Sequence, residues 1–165
     1  MWSATKSLKP KMTNDTISGK NPNGKNKRYH IWKIGQINIQ TCSDDQKLHL
    51  SLLECCRANL DIICFQEVRL LNTGLVHHFN YDFFLSGMKR IKQRGVAIAI
   101  RNSPDIIING IINLSDLLVA ADVTITGCKL CIISSYAPTY KSSTSMKQQF
   151  YRGLNSLCKV DNDSG

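Results

Sequence analysis

Acidic and large apolar residues are almost missing from the first 28 positions, where Asp15 is the lone carboxylate. Such a segment is expected to form no packed structure of its own. It also holds no apolar run of the kind a secretion signal requires. Further along, residues 106–125 are the most apolar stretch, but Asn109, Gly110, Asn113, Asp116 and Asp122 interrupt it. That interruption excludes a membrane span. No internal repeat is evident. A second metal-ligand pair is lacking too: Cys128-Lys-Leu-Cys131 stands alone, and His77-His78 are adjacent and isolated, so a zinc site is not expected. Cysteine itself is not scarce. The seven are odd in number and irregular in spacing, with Cys64 in an apolar run and Cys55 and Cys56 in a helical one. That usage suits reduced thiols, and an intracellular location is expected, with nucleus and cytoplasm both open.

Positive charge is what the chain has in excess. Of the net +9, most comes from the start: seven of the 21 Lys and Arg, namely Lys6, Lys9, Lys11, Lys20, Lys25, Lys27 and Arg28, precede residue 29. The organisation read from this is a disordered basic tail over 1–28, one domain over 29–160 and a polar tail over 161–165. A basic tail raises affinity for polyanions, and it is equally common as a solvated arm.

Within the domain, hydrophobic periodicity sets the elements. Ile31, Trp32, Ile34, Ile37 and Ile39 mark a first strand. Ser43 with Gln46 has capping-box spacing, and Leu48, Leu52, Cys56 and Leu60 follow on one helical face. Residues 61–66 (DIICFQ) form a continuous apolar strand, of the sort covered on both faces. Residues 68–80 read as loop or short helix, and 81–86 as a strand. A basic turn carrying Lys89, Arg90, Lys92 and Arg94 leads into the very apolar strand 95–101. Strands over 105–112, 117–125 and 129–136 follow, the last two joined by Thr126-Gly127 as a hairpin. A final amphipathic helix starts near Ser145 and runs through Met146, Phe150, Leu154 and Leu157. The order predicts an α/β sandwich with a mixed, largely antiparallel sheet and flanking helices.

Three polar residues sit at the ends of apolar strands: Asn38, Glu67 and Tyr136. Strand ends are where α/β scaffolds present chemistry. Glu67 has the chemistry to hold a divalent cation such as magnesium, which takes few protein ligands and completes its shell with water and phosphate. Asn38 suits a metal-bound water or a phosphate oxygen, and the Tyr136 hydroxyl suits a phosphate. Plainer readings stand beside each: a solvated strand end for Glu67, a local backbone hydrogen bond for Asn38, a half-buried core residue for Tyr136. Lys89, Arg90, Lys92 and Arg94 suit backbone phosphates of a nucleic acid, or form a solvated turn.

Taken in order, KIGQINIQT, LDIICFQEVR, RGVAIAI and SYAPT resemble the endonuclease/exonuclease/phosphatase family, over about residues 31–158. The resemblance is to the endonuclease domains of non-LTR retrotransposons and their domesticated craniofacial-development-protein-like relatives. It implies a four-layer α/β sandwich, Mg2+ (or Mn2+) as cofactor, and nicking of DNA. Under it, Glu67 is the metal-binding glutamate, Asn38 the active-site asparagine beside metal and phosphate, and Tyr136 the tyrosine contacting the scissile phosphate. Three positions depart from the pattern: Ile37 replaces a tryptophan, Gln40 an arginine, and Leu117 the arginine that often follows Ser-Asp. The family's second half, with its Asp-x-Asn segment and terminal Asp-His pair, has no counterpart; Asp161-Asn162-Asp163 lies in the polar tail, and no histidine follows Pro138. The resemblance therefore implies the N-terminal half of such a domain, inactive alone. It also implies a strand 95–101 open on one face to a partner or a missing segment. A non-catalytic, transposon-derived remnant binding nucleic acid weakly through its basic segments is the alternative.

Overall fold

The computed structural model describes residues 16–20, 26–40, 45–70, 73–87 and 94–159. The chain divides into two units, Met1–Lys33 and Ile34–Gly165. In the first, β1 (Thr16–Lys20) and β2 (Asn26–His30) pair antiparallel, Thr16 opposite His30 and Lys20 opposite Asn26. The expected disordered tail over 1–28 lies mostly outside the described residues; at 16–20 and 26–28 the chain is paired instead. Backbone pairing needs no apolar pattern, so the composition gave no sign of it.

The second unit is the sandwich. β3 (Ile34–Asn38) runs parallel to β4 (Ile62–Gln66), linked by α1 (Asp45–Arg57). β5 (Gly74–His78), β6 (Tyr81–Ser86) and β7 (Val96–Arg101) complete a five-stranded mixed sheet in the order β3-β4-β7-β6-β5. β8 (Ile106–Ser115), β9 (Leu118–Ile125) and β10 (Cys128–Ser135) form a second, antiparallel sheet in the order β10-β9-β8, and α2 (Thr144–Lys159) follows. The β9–β10 hairpin turns on Thr126 and Gly127, both with positive φ, as a two-residue type I′ turn requires.

Strand alternation distributes the core into layers. From β4, β6 and β7, the side chains of Ile63, Phe65, Tyr81, Phe83, Leu85, Ala97 and Ala99 meet Leu48, Leu52 and Cys55 of α1. The opposite face of the sheet meets the second sheet. Ser134 Oγ donates to the Phe65 carbonyl at 3.1 Å, and Ser86 Oγ to the Ser115 carbonyl at 2.7 Å. On the outer side of the second sheet, Leu118 and Ala120 pack with Phe150 and Leu157 of α2. The layers are thus α1, five strands, three strands, α2.

This arrangement overturns one expectation. Strand 95–101 is not open on one face: Val96 to Ile100 are all fully buried, between α1 and the second sheet. The covering sheet comes from residues 106–135 of this chain, where β9 contributes Val119, Ala121, Val123 and Ile125 on one face. Smaller differences have local causes. The first strand begins at Ile34, three residues later than its apolar composition suggests. In α1 the buried stripe uses Cys55 rather than Cys56, and Ser43 lies outside the described residues. The helix ends in a Schellman motif, with Asn59 at φ 57°, Asn59 N donating to Cys56 O and Leu60 N to Cys55 O. α2 is capped by Ser143, whose Oγ accepts from Met146 N at 3.3 Å, so the helix starts before Ser145. β5 occupies part of the expected loop; it is an edge strand with Leu75 and Val76 exposed, and no burial pattern marks it. Among the described residues no helix is long and apolar enough to cross a membrane.

Candidate active site at the strand ends

Parallel pairing of β3 with β4 puts Asn38 opposite Gln66, and Ile39 N donates to Gln66 O at 3.0 Å. The ends of the two strands are therefore side by side, and Glu67 is the next residue. From the second sheet, β10 crosses β4 so that Ser134 sits on Phe65 and, two residues on, Tyr136 reaches Glu67. Tyr136 is itself anchored by its N–H to Leu117 O at 3.0 Å. Both layers of the sandwich thus converge on one carboxylate.

Glu67 Oε1 accepts from Asn38 Nδ2 at 2.9 Å and from the Tyr136 hydroxyl at 2.9 Å. Its Oε2 accepts from Arg69 Nη2 at 2.9 Å. The Asn38 Oδ1 accepts from Gln40 N at 3.1 Å, which is the local backbone bond of an Asx turn. Both readings of Asn38 therefore coexist: one end of the carboxamide holds the backbone, the other holds the carboxylate.

The backbone is strained at this spot. Gln40, Glu67 and Arg69 adopt φ of 57°, 54° and 56°, a region that costs a non-glycine residue about 1 kcal/mol or more. Val68 between them is buried and its N–H donates to Gly95 O, while Arg69 N–H donates to Arg94 O. With left-handed residues on either side of Val68, Glu67 and Arg69 form their ion pair.

Electrostatics follow from these contacts. The Asn38 hydrogen bond holds the Glu67 carboxyl below the usual carboxylate range; partial burial opposes it, and Tyr136 and Arg69 add to the depression. Tyr136 is pushed up, first by its bond to the Glu67 carboxylate and then by burial. Near neutral pH the pair is therefore an ionised carboxylate and a neutral phenol that donates to it.

Asn38, Glu67 and Tyr136 are brought together by the fold. Of the basic cluster, Lys89, Arg90 and Lys92 lie outside the described residues. Arg94 lies 4.0 Å from Asp116 and lines a cleft of about 510 Å³ with Asp116, Leu117, Phe150 and Arg152. Arg69 escaped the reading of the sequence, where it passes for a loop residue after Val68. A basic residue two positions after a strand-end acid was the available signal.

As a cation site, the cluster offers hard oxygen donors, the Glu67 carboxylate and the Tyr136 phenol, while the Asn38 carboxamide turns its Nδ2 to Glu67 and its oxygen to Gln40 N. That set fits Mg2+ or Mn2+ and suits soft metals poorly. Among the described residues no group of three or more His, Cys, Asp or Glu gathers. A single carboxylate with water and phosphate completing the shell is still within the habit of magnesium. Arg69 sits on Oε2, where a bound cation would compete with it.

A mixed five-stranded sheet and an antiparallel three-stranded sheet between two helices make an α/β sandwich. A solved example of that shape is humanized D. rerio TDP2 carrying 14 mutations, matched with a TM-score of 0.53 and 16% identity. The match covers 81% of this chain and 60% of that one, so the chain spans about three fifths of the length of that structure. No protein-family model matches the sequence, and no curated protein matches it significantly.

Proposed function

We propose that this chain carries the metal-binding part of a divalent-cation-dependent phosphodiesterase that nicks DNA, akin to retrotransposon endonucleases. The observation that carries the reading is the Glu67 carboxylate, held at the end of β4 by Asn38, Tyr136 and Arg69. In this proposal Glu67 holds the cation and Asn38 fixes the carboxylate. A bound Mg2+ or Mn2+ would polarise a phosphoryl oxygen and stabilise the leaving oxygen. Tyr136, its phenol kept protonated, then has a proton to offer a phosphate oxygen. Arg69, displaced from Oε2, supplies a cation for the same phosphate.

What is missing among the described residues is a base. Among the described residues Glu67 is hydrogen-bonded by Asn38, Tyr136 and Arg69, none of them a general base at neutral pH, and a positioned general base is worth ~10²–10⁴ in rate. On that ground the described residues are expected to bind cation and DNA and, without a further group to act as base, to turn over slowly or not at all. Activity is expected in a longer product that supplies an Asp-x-Asn segment and a terminal Asp-His pair. The same absence favours the second reading, a non-catalytic remnant that binds nucleic acid through its basic segments. Plasmid nicking in Mg2+ separates the two. A longer product is expected to nick, and its Glu67→Ala variant to lose nicking by at least two orders of magnitude; a longer product that never nicks leaves the remnant.

A further inference from the structure

From Val123 to Val160 the chain contains five basic residues (Lys129, Lys141, Lys147, Arg152 and Lys159) and not one Asp or Glu. The preceding part of the sandwich mixes both signs. This stretch contains the loop after β10 and the whole of α2, so both contribute cations and no carboxylate, the nearest acid to α2 in the cleft beside Arg152 being Asp116, which lies 4.0 Å from Arg94. Such a region attracts polyanions.

Two tyrosines stand in that region without a core to fill. Tyr140 is 95% exposed and Tyr151 is 62% exposed. An aromatic ring usually contributes by burial, so Tyr140 adds almost nothing to folding. It is nevertheless held in place. Thr139 O accepts from Ser142 N at 3.0 Å, closing a turn around it, and Lys147 Nζ donates to the Tyr140 carbonyl at 2.8 Å. The same ammonium lies 5.4 Å from the centre of the Tyr140 ring. Tyr151 follows Lys147 by one helical turn, on the same stripe of α2, and packs edge-on against Phe150 at 5.3 Å. The result is a row of ring, ammonium, ring. It begins four residues after Tyr136, whose hydroxyl is on Glu67.

We propose that Tyr140, Lys147, Tyr151 and Arg152 form a stacking platform for the unpaired bases of a single-stranded nucleic acid. Lysines alone would serve any polyanion. Exposed rings beside cations serve a ligand with free aromatic faces and a phosphate backbone, and bases in a duplex are already stacked on one another. A lipid surface fits less well. The exposed residues of α2 include Thr144, Ser145, Gln148, Gln149 and Asn155, and no exposed leucine, isoleucine, valine or phenylalanine, whereas a membrane-bound helix needs an apolar face. Binding to the platform requires neither metal nor Glu67. Its use in delivering a strand to the site rests on the phosphodiesterase reading.

The test is binding of a fluorescent oligothymidine to the full 165-residue chain in EDTA. Tyr140→Ala and Tyr151→Ala, both at exposed positions, are expected to weaken binding by roughly five- to a hundredfold, the range of one lost base stack. Tyr140→Trp is expected to keep it. The salt slope should be unchanged in the tyrosine variants and shallower by about 0.7 in Lys147→Gln. Heparin, which has charge but no bases, and duplex of the same length should bind the tyrosine variants as they bind the parent. Equal losses on heparin, no loss on the oligonucleotide, or stronger binding to anionic phospholipid vesicles would each overturn the platform. If the longer product nicks regardless of Glu67 while Tyr140→Ala still weakens the single strand, the catalytic reading falls and the platform stands.

Discussion

One carboxylate oxygen accepting two hydrogen bonds, with an arginine on the other, makes Glu67 the most constrained side chain of the site. Its pKa lies below the ordinary value, chiefly through Asn38. A depressed carboxylate contributes stability that is present above its unfolded pKa, about 4.3 for Glu, and that is lost as pH falls through the folded value. Glu67→Gln should therefore flatten the fall of the urea midpoint with pH below about 4.3, and parallel curves for parent and variant would contradict it. Tyr136 behaves oppositely. Its raised pKa contributes stability that is present below the unfolded value near 10 and is lost as pH rises through the folded one. Three of the four residues were legible in the sequence, because a polar residue closing an apolar strand is conspicuous. Arg69 was not, since its place beside Glu67 depends on the left-handed backbone at both positions, and the spacing of acid and base in EVR signals the pair only once that backbone is known.

Among the elements, the ends of β4 and β7 decide whether the site exists. Gly95 has φ 133°, and a Cβ there would lie 3.3 Å from Arg69 N and 3.7 Å from Ser86 O. The glycine lets the chain before β7 pass close enough to take the Val68 and Arg69 amides. Gly95→Ala is expected to cost ~1–3 kcal/mol by denaturant unfolding, and to loosen the Arg69–Glu67 pair; an unchanged midpoint would show that the approach is not tight. Strands with a buried face were legible from alternation or from continuous apolar runs, as in β4, β6, β7, β9 and β10. β5 was hidden because an exposed edge strand has no buried face to pattern it, and β1 and β2 because pairing between polar strands leaves no compositional trace. The cap of α2 fell two residues early for a similar reason: Ser143, Ser145 and Thr144 are interchangeable in composition, and the hydrogen bond alone selects one.

At the scale of the molecule, the class of fold was legible from the order of elements, but the number of sheets was not. The strands at 106–135 look like additions to one mixed sheet until their own pairing closes them into a second, which covers β7. That packing is what carries Tyr136 across to Glu67, so the site belongs to the sandwich rather than to either sheet. The likeness to humanized D. rerio TDP2, over three fifths of that structure, is one of fold. Whether those layers hold a cation is the question on which the functional account rests, and it does not depend on turnover. The direct measurement is titration of Mn2+ into the 165-residue chain, followed by the enhancement of water-proton relaxation, for the parent and for Glu67→Gln. The account requires one saturable site in the parent that is lost in the variant. No saturable site in the parent, or equal binding by both proteins, would contradict it.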